Sequence, residues 1–166
     1  FIVDEAELAG LPDDAKAMFR EMAEADGQAG WKLNLQAPSF LPVMQFCENR
    51  ALREEMYRAY TTRASEFGPE NLDNTSLIAR ILALRAEAAK LLGFASYAQV
   101  SLEPKMAETP AEVLDFLDNL AVRAKPYAER DMVELREYAA AELGLPDLQA
   151  WDVAYASEKL REARYA

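Results

Sequence analysis

The chain has 166 residues, and 29 acidic against 18 basic side chains give it a formal net charge of −11 at pH 7. Hydrophobic residues make up 51% of the sequence, which predicts a folded globular protein, and the negative charge disfavours binding to nucleic acid or to a membrane surface. No histidine is present, which excludes Ser-His-Asp and Cys-His nucleophiles and the usual catalytic zinc sites, because each of these needs an imidazole.

Helical patterns dominate the first half of the chain. A first helix is predicted over residues 13–26, and residues 31–35 alternate apolar and polar side chains, as a short strand does. Ser39 is expected to cap a short helix, and Asn49 to cap a longer one over residues 50–66. The charged positions of that longer helix leave four side chains for the core: Leu52, Met56, Tyr57 and Tyr60.

The second half contains the clearest helical periodicity. A polar cluster at residues 73–75 precedes a helix that Gly93 is expected to end. Ser96 then predicts a short capped helix, Thr109 a long one, and Trp151 the start of a last one. The apolar residues of the first of these helices recur every three or four positions, namely Leu77, Ile78, Ile81, Leu82, Leu84, Ala88, Leu91 and Leu92.

These elements predict an all-α fold, mainly helical with about seven helices and at most one short strand or hairpin near residues 31–35. No repeat, flexible linker or low-complexity stretch interrupts the sequence, so we expect a single helical domain over residues 1–166. The lone Cys47 cannot form an internal disulfide, and no apolar run approaches the length of a membrane span. A cytoplasmic location is therefore expected.

Carboxylates are the abundant chemical groups in a chain without histidine. On the predicted long helix, Glu112, Asp115 and Asp118 recur every three residues, and Glu134 and Glu137 repeat that spacing. A carboxylate metal site in a helical bundle normally adds Glu-x-x-His pairs. We therefore favour a solvated helix face over a metal site.

Three other groups of side chains could form a site, and each also has a structural interpretation. Cys47 could be a nucleophile, but without an imidazole partner it is more typical of a buried structural cysteine. Aromatic side chains could line a pocket, although at helical spacing they more often build a core: Phe40, Phe46, Tyr57, Tyr60, Phe94 and Tyr97. Four arginines could receive a partner's carboxylate, although ion pairing on the helix surface is more typical: Arg50, Arg53, Arg58 and Arg63.

The two ends of the sequence suggest a piece of a longer protein. The chain begins at Phe1 in an apolar run without an initiator methionine, and it stops at Ala166 directly after a helical charge pattern. The alternative is simple trimming of an ordinary small protein.

Seven strings in the same order and spacing carry a resemblance to a known family. They cover most of the chain: Gly30-Trp31 leading into Leu33-Asn34-Leu35 and Pro38-Ser39-Phe40-Leu41-Pro42-Val43-Met44; Asn49-Arg50 with Leu52-Arg53-Glu54; Tyr57-Arg58-Ala59-Tyr60 with Thr62-Arg63-Ala64-Ser65; Asp73-Asn74-Thr75; Leu91-Leu92-Gly93-Phe94 with Tyr97-Ala98; Ser101-Leu102 with Lys105-Met106-Ala107; and Trp151-Asp152 with Tyr155-Ala156-Ser157-Glu158-Lys159-Leu160. With these strings the chain resembles the thimet oligopeptidase family of zinc metallopeptidases. The alanine at position 156 is similar to the pattern of the oligopeptidase A branch of that family.

The resemblance implies a full-length cytoplasmic zinc endopeptidase of mostly helical fold that cuts short peptides inside a deep channel. Members of the family bind zinc through the two histidines of an H-E-x-x-H helix and a downstream glutamate, and the motif glutamate acts as general base on the zinc-bound water. This chain has no such motif. We therefore assign it no catalytic, cofactor-binding or metal-binding residue, and no cofactor of its own; the zinc belongs to the full-length enzyme.

Two hypotheses follow for the role of this chain. In the first it is a non-catalytic fragment upstream of the zinc motif that forms channel wall and scaffold, with the rest of the peptidase as its partner and short peptides as substrates of the whole enzyme. In the second it is a stand-alone helical scaffold that binds a protein or peptide. Under the first hypothesis we expect an exposed apolar patch near residues 31–35 or along the final helix, and self-association through it.

Overall fold

The computed structural model describes residues 1–165 of the chain. This part contains seven α-helices, one two-stranded antiparallel sheet and three short 3-10 turns. The strands are β1 (Ile2–Val3) and β2 (Trp31–Lys32), and the helices are α1 (Asp13–Ala25), α2 (Ala37–Phe46), α3 (Arg50–Thr61), α4 (Thr75–Leu91), α5 (Tyr97–Leu102), α6 (Pro110–Glu142) and α7 (Val153–Tyr165). The predicted fold class is confirmed.

The described chain divides into two compact units. Residues 63–131 form one unit, and residues 1–62 together with 132–165 form the other. The boundary at residue 131 falls inside α6, which continues through it without a break. We keep a single helical domain over residues 1–166 as a prediction, since one uninterrupted helix belongs to both units.

The main core lies in the unit that contains both ends of the described chain. Ala15, Phe19 and Ala23 of α1 are buried because a spacing of four residues places them on one face of the helix. Around Phe19, which has no exposed surface, pack side chains from the first turns, from the segment after β2, and from α2 and α3. The other buried members of this core are Val3, Leu8, Leu11, Leu33, Val43, Cys47, Leu52 and Met56.

The predicted strand at residues 31–35 is shorter in the structure. β2 pairs with β1 through Trp31 opposite Val3 and Lys32 opposite Ile2. Leu33 still exchanges backbone hydrogen bonds with Phe1, in both directions, at 2.9 and 3.0 Å.

Ser39 was predicted to be the N-cap of α2, and this is wrong. The helix begins at Ala37 with Gln36 as its N-cap, because the fixed backbone of Pro38 fits the first turn of a helix. Ser39 is buried inside that first turn, and its hydroxyl accepts a hydrogen bond of 3.0 Å from the backbone N–H of Asn34. The serine therefore fixes the segment before the helix instead of capping it.

The helix predicted over residues 50–66 begins as expected and ends early. Asn49 caps it by accepting the N–H of Leu52, as predicted. It ends at Thr61, where the Thr62 hydroxyl donates to the carbonyl of Arg58 at 2.8 Å, and Ala64 then adopts a left-handed backbone with φ of 56°.

A second, smaller core joins the end of α6 to α7 within the same unit. Leu135, Ala139 and Ala156 are buried and pack together. The hydroxyl of Tyr138 donates to the carbonyl of Lys159 at 3.1 Å, which adds a polar contact between the two helices.

The unit formed by residues 63–131 has much less buried surface. Ala89 in α4 is the one residue of this range, all of which the structure describes, that is buried. Gly93 ends α4 with φ of 82°, as predicted, and the N–H of Phe94 donates to the carbonyl of Ala89 at 2.9 Å. Ser96 caps α5 as predicted. The helices of this unit are thus well defined at their ends and poorly covered along their sides.

Candidate functional site

Asp152 is a buried carboxylate in the 3-10 turn Ala150–Asp152, just before α7, and has no exposed surface. Its two oxygens accept hydrogen bonds from Arg50, the shortest of 2.6 Å from Nη2, and one of 2.8 Å from Nη2 of Arg53. The backbone N–H of Gln149 donates to it at 3.1 Å. We call these four residues the Asp152 cluster.

Arg53 is the most deeply buried cation of this cluster, with 1% of its surface exposed. Its Nη1 donates to the carbonyl of Cys47 at 2.5 Å, and its guanidinium lies 4.2 Å from the centre of the Tyr155 ring. Arg50 and Arg53 are three residues apart at the start of α3, so they share a helix face. The cluster therefore ties the beginning of α3 to the beginning of α7.

The charge state of Asp152 follows from two opposing effects. Burial alone would raise the pKa of its carboxyl, because removal from water disfavours the charged form. The hydrogen bonds from Arg50, Arg53 and the backbone of Gln149 outweigh that effect and hold the pKa below its ordinary value. Asp152 is therefore an ionised carboxylate whose negative charge pairs with the two arginines.

The arginines singled out in the sequence contact groups of this chain. Arg50 and Arg53 bind Asp152, and Arg58 pairs with Glu54 at 2.8 Å and lies 5.0 Å from the centre of the Trp151 ring. The pair of Arg58 with Glu54 supports the surface ion-pairing interpretation, whereas Arg53 pairs in the interior with a residue of another element. Helical spacing does not identify Asp152 as their partner, because it is 99 residues from Arg53 in the sequence.

The acidic candidates on α6 lie on the surface. Glu112, Asp115 and Asp118 are exposed, and Glu112 accepts the backbone N–H of Glu108 at 2.9 Å near the start of the helix. Glu134 pairs with Arg164 of α7. Within residues 1–165, no group of three His, Cys, Asp or Glu side chains is arranged to hold a metal ion. The exposure supports the solvated-face interpretation.

Cys47 is fully buried in the main core. Its Sγ donates to the backbone carbonyl of Glu7 at 3.3 Å, and burial raises the pKa of the thiol. A buried thiol with a raised pKa is a poor nucleophile, because the thiolate is the reactive form. The structural interpretation of Cys47 is thus supported.

The six aromatic candidates do not form one pocket lining. Phe40 and Phe46 pack against the main core, and Phe40 stacks on the half-exposed ring of Tyr60 at 4.2 Å. Tyr57 contacts Trp151 at 6.2 Å between ring centres. Phe94 and Tyr97 belong to the unit formed by residues 63–131. Tyr60, predicted for the core, is 37% exposed and lies at the edge of the core through its contact with Phe40.

Apolar side chains are exposed on the helices of the unit formed by residues 63–131. On α4 the exposed fractions run from 46% for Ile81 to 88% for Leu91. We call the exposed apolar residues of this helix the α4 face: Leu77, Ile78, Ile81, Leu82, Leu84 and Leu91. A second exposed set lies on α6 and consists of Leu114, Phe116, Leu117, Leu120, Val122 and Tyr127.

The position predicted for an exposed apolar patch is therefore wrong. At residues 31–35, Leu33 is buried and Trp31 and Leu35 pack against the main core. On α7, Tyr165 is the one large apolar side chain that is exposed among the residues described. The patch lies on α4 and α6 because their long apolar stripes have no covering layer within their own unit.

None of the helices described by the structure combines the length and the apolar character needed to cross a membrane.

Comparison with known proteins identifies the family. Residues 43–166 match the family model described as Peptidase family M3. The chain belongs to this peptidase family.

The similar relatives include enzymes from several bacteria. Oligopeptidase A of Salmonella typhimurium is 54% identical and that of Escherichia coli 53% identical, each over 99% of this chain and 25% of the relative. Dipeptidyl carboxypeptidase of Salmonella typhimurium is 31% identical over 99% of this chain and 24% of the relative. The chain spans about a quarter of the length of the curated relatives it matches. The family resemblance noted in the sequence is thus confirmed.

Proposed function

We propose that this chain is a non-catalytic structural portion of a cytoplasmic zinc metallo-oligopeptidase similar to oligopeptidase A. In the complete enzyme it forms part of the scaffold and wall of the channel in which short peptides are hydrolysed. The observation that carries this proposal is identity above one half to oligopeptidase A over 99% of the chain, across only a quarter of the relative's length.

The residues of this chain do not fit a zinc site. Histidine is absent from the sequence, and Cys47, the one cysteine, is buried with its S–H directed at a backbone carbonyl. The carboxylates on α6 are exposed and do not form a three-ligand group within the described chain. Zinc and the general base of the hydrolysis therefore belong to the other three-quarters of the enzyme.

The Asp152 cluster supports the scaffold role. Its two arginines and one carboxylate are fixed by each other, and Arg53 and Asp152 are almost completely removed from solvent. Buried groups that form ion pairs with each other inside the fold are suited to holding helices in position. They are poorly suited to proton transfer with a substrate that must bind and dissociate.

A peptidase assay on the isolated chain tests the proposal. The chain is incubated with internally quenched peptides of five to fifteen residues and added zinc, beside oligopeptidase A of Escherichia coli as the active control. We expect no hydrolysis above the buffer rate. Zinc-dependent hydrolysis that follows the chain through size-exclusion chromatography would overturn the proposal.

The same peptides distinguish the scaffold role from that of an independent binding domain. Fluorescence anisotropy of labelled, uncleaved peptides reports binding directly. We expect no saturable binding to the isolated chain, because the proposed channel needs walls from the rest of the enzyme. Saturable binding by the isolated chain would favour the stand-alone peptide-binding scaffold.

A further inference from the structure

The α4 face is an apolar surface that the described chain leaves uncovered. At roughly 100° per residue, its members fall within about half of the helix circumference. The opposite side of α4 carries Glu87 and Lys90 together with alanines, whereas Arg80 borders the face and Arg85 lies within its arc. The helix is therefore amphipathic, but Ala89 is its one buried residue.

The α4 helix has 17 residues, and its exposed apolar face lacks a packing partner within the described chain. Most of the stability of a helix in a protein comes from packing of its apolar face. Contiguous exposed apolar surface on a soluble protein marks an interaction site. The ends of α4 are nevertheless well formed, with Gly93 in the left-handed conformation that closes the helix.

We propose that the α4 face is the surface on which the remaining part of the M3 peptidase chain docks. This inference rests on the proposed function and adds the location of the contact. The relatives that match 99% of this chain are about four times its length, so three-quarters of each relative is available as a partner.

A second copy of the chain is a poorer occupant of the same surface. Each copy carries a net charge of −11, so two copies repel one another. The α4 helix itself carries three basic residues and one acidic residue: Arg80, Arg85, Lys90 and Glu87. Two α4 helices face to face would place like charges together, whereas a partner with an apolar centre and an acidic border would match the face.

Cysteine labelling locates the contact. The chain replaces the matching segment of Escherichia coli oligopeptidase A, and this chimaera and the isolated chain are each prepared with Ile81→Cys or with Lys90→Cys as the matched control. Lys90 is an exposed residue of the same helix and lies on the side opposite Ile81. Labelling by a maleimide is measured in both contexts, and the rate of the same protein without the new cysteine is subtracted.

We expect the Ile81→Cys thiol to be labelled at least about tenfold more slowly in the chimaera than in the isolated chain, because docking buries it. The Lys90→Cys thiol should be labelled at similar rates in both. Equal rates for the Ile81→Cys thiol in both contexts would overturn the inference. Protection that appears in the isolated chain and rises with its concentration would assign the face to a second copy and would also overturn it.

Hydrogen exchange gives a second measurement that needs no substitution. In native oligopeptidase A, the peptides matching residues 75–91 should exchange much more slowly than the same residues of the isolated chain. Equal exchange would contradict the docking of α4. Peptidase activity of the chimaera separates the two proposals, since an active chimaera with an accessible α4 face leaves the proposed function intact while the docking surface fails.

Discussion

At the scale of single residues, Asp152 determines how α3 and α7 are held together. Its carboxylate forms ion pairs with two guanidinium groups, one of which, that of Arg53, is 1% exposed. A buried ion pair does not always stabilise a fold relative to apolar packing, but removal of one partner is costly since it leaves a buried charge alone.

Asp152→Asn removes the negative charge and keeps the size of the side chain. We expect the free energy of unfolding of the chain to fall by about 3–5 kcal/mol, because Arg53 stays buried without a counter-ion. Urea denaturation followed by circular dichroism measures the loss. The matched control is Glu24→Gln, which breaks an ion pair with Arg20 in which both side chains are 64% exposed. It should cost less than about 1 kcal/mol, and equal losses for the two variants would contradict the assigned role of Asp152.

The lowered pKa of Asp152 gives a pH dependence of defined sign. A carboxyl whose pKa is lower in the folded state stabilises the fold above its unfolded pKa and loses that contribution as pH falls through the folded value. The ordinary value is 3.8. The stability difference between the native chain and Asp152→Asn should therefore be constant near neutral pH and shrink below about pH 4. Urea titrations of both proteins at a series of pH values measure it, and a difference that grows on acidification would contradict the assignment.

At the scale of elements, the sequence predicts helices well where local signals act alone. Asn49 and Ser96 cap α3 and α5 as their side-chain chemistry predicts, and Gly93 ends α4. Ser39 was misassigned because its hydroxyl accepts from Asn34, outside the helix. Periodicity also identified the apolar stripe of α4 correctly but could not tell whether another layer covers it, since burial depends on elements distant in sequence.

The same limit explains the missed Asp152 cluster. Arg50 and Arg53 were visible as a basic helix face, but their carboxylate partner lies about a hundred residues further along the chain. A pairing of this kind leaves no periodic pattern in the sequence. The sequence therefore indicates the two arginines but not the carboxylate that pairs with them.

Two glycines with a left-handed backbone test the packing between elements. Gly10 and Gly27 have φ of 83° and 69°, so alanine at either position costs about 1–2 kcal/mol of backbone strain. A Cβ at Gly10 would also lie 2.3 Å from the carbonyl oxygen of Phe46 at the end of α2, whereas a Cβ at Gly27 meets nothing within 4 Å. Thermal denaturation should show a clearly larger loss for Gly10→Ala than for Gly27→Ala. Equal losses would mean that Gly10 does not sit against α2.

At the scale of the whole molecule, the two units differ in how many of their residues are buried by contacts within the same unit. The unit with both ends of the described chain has a core centred on Phe19, while residues 63–131 contain one buried residue. Local stability follows buried apolar contact, so the second unit should open far more often.

Limited proteolysis of the isolated chain measures this difference. With thermolysin at low concentration, we expect the first cuts within residues 63–131, and fragments from the main core should persist longer. Mass spectrometry of the early products locates the cuts. First cleavage within α1 or α3 would contradict the assignment of the stable core.

The most direct test of the central claim is the catalytic efficiency of the chimaera of Escherichia coli oligopeptidase A that carries this chain in place of its matching segment. If the segment supplies structure and no catalytic or zinc-binding group, kcat/KM on a quenched peptide should stay within about tenfold of the native enzyme. A folded, zinc-loaded chimaera that has lost about a thousandfold or more in kcat would contradict the claim, because the replaced segment would then have carried a group needed for the chemistry.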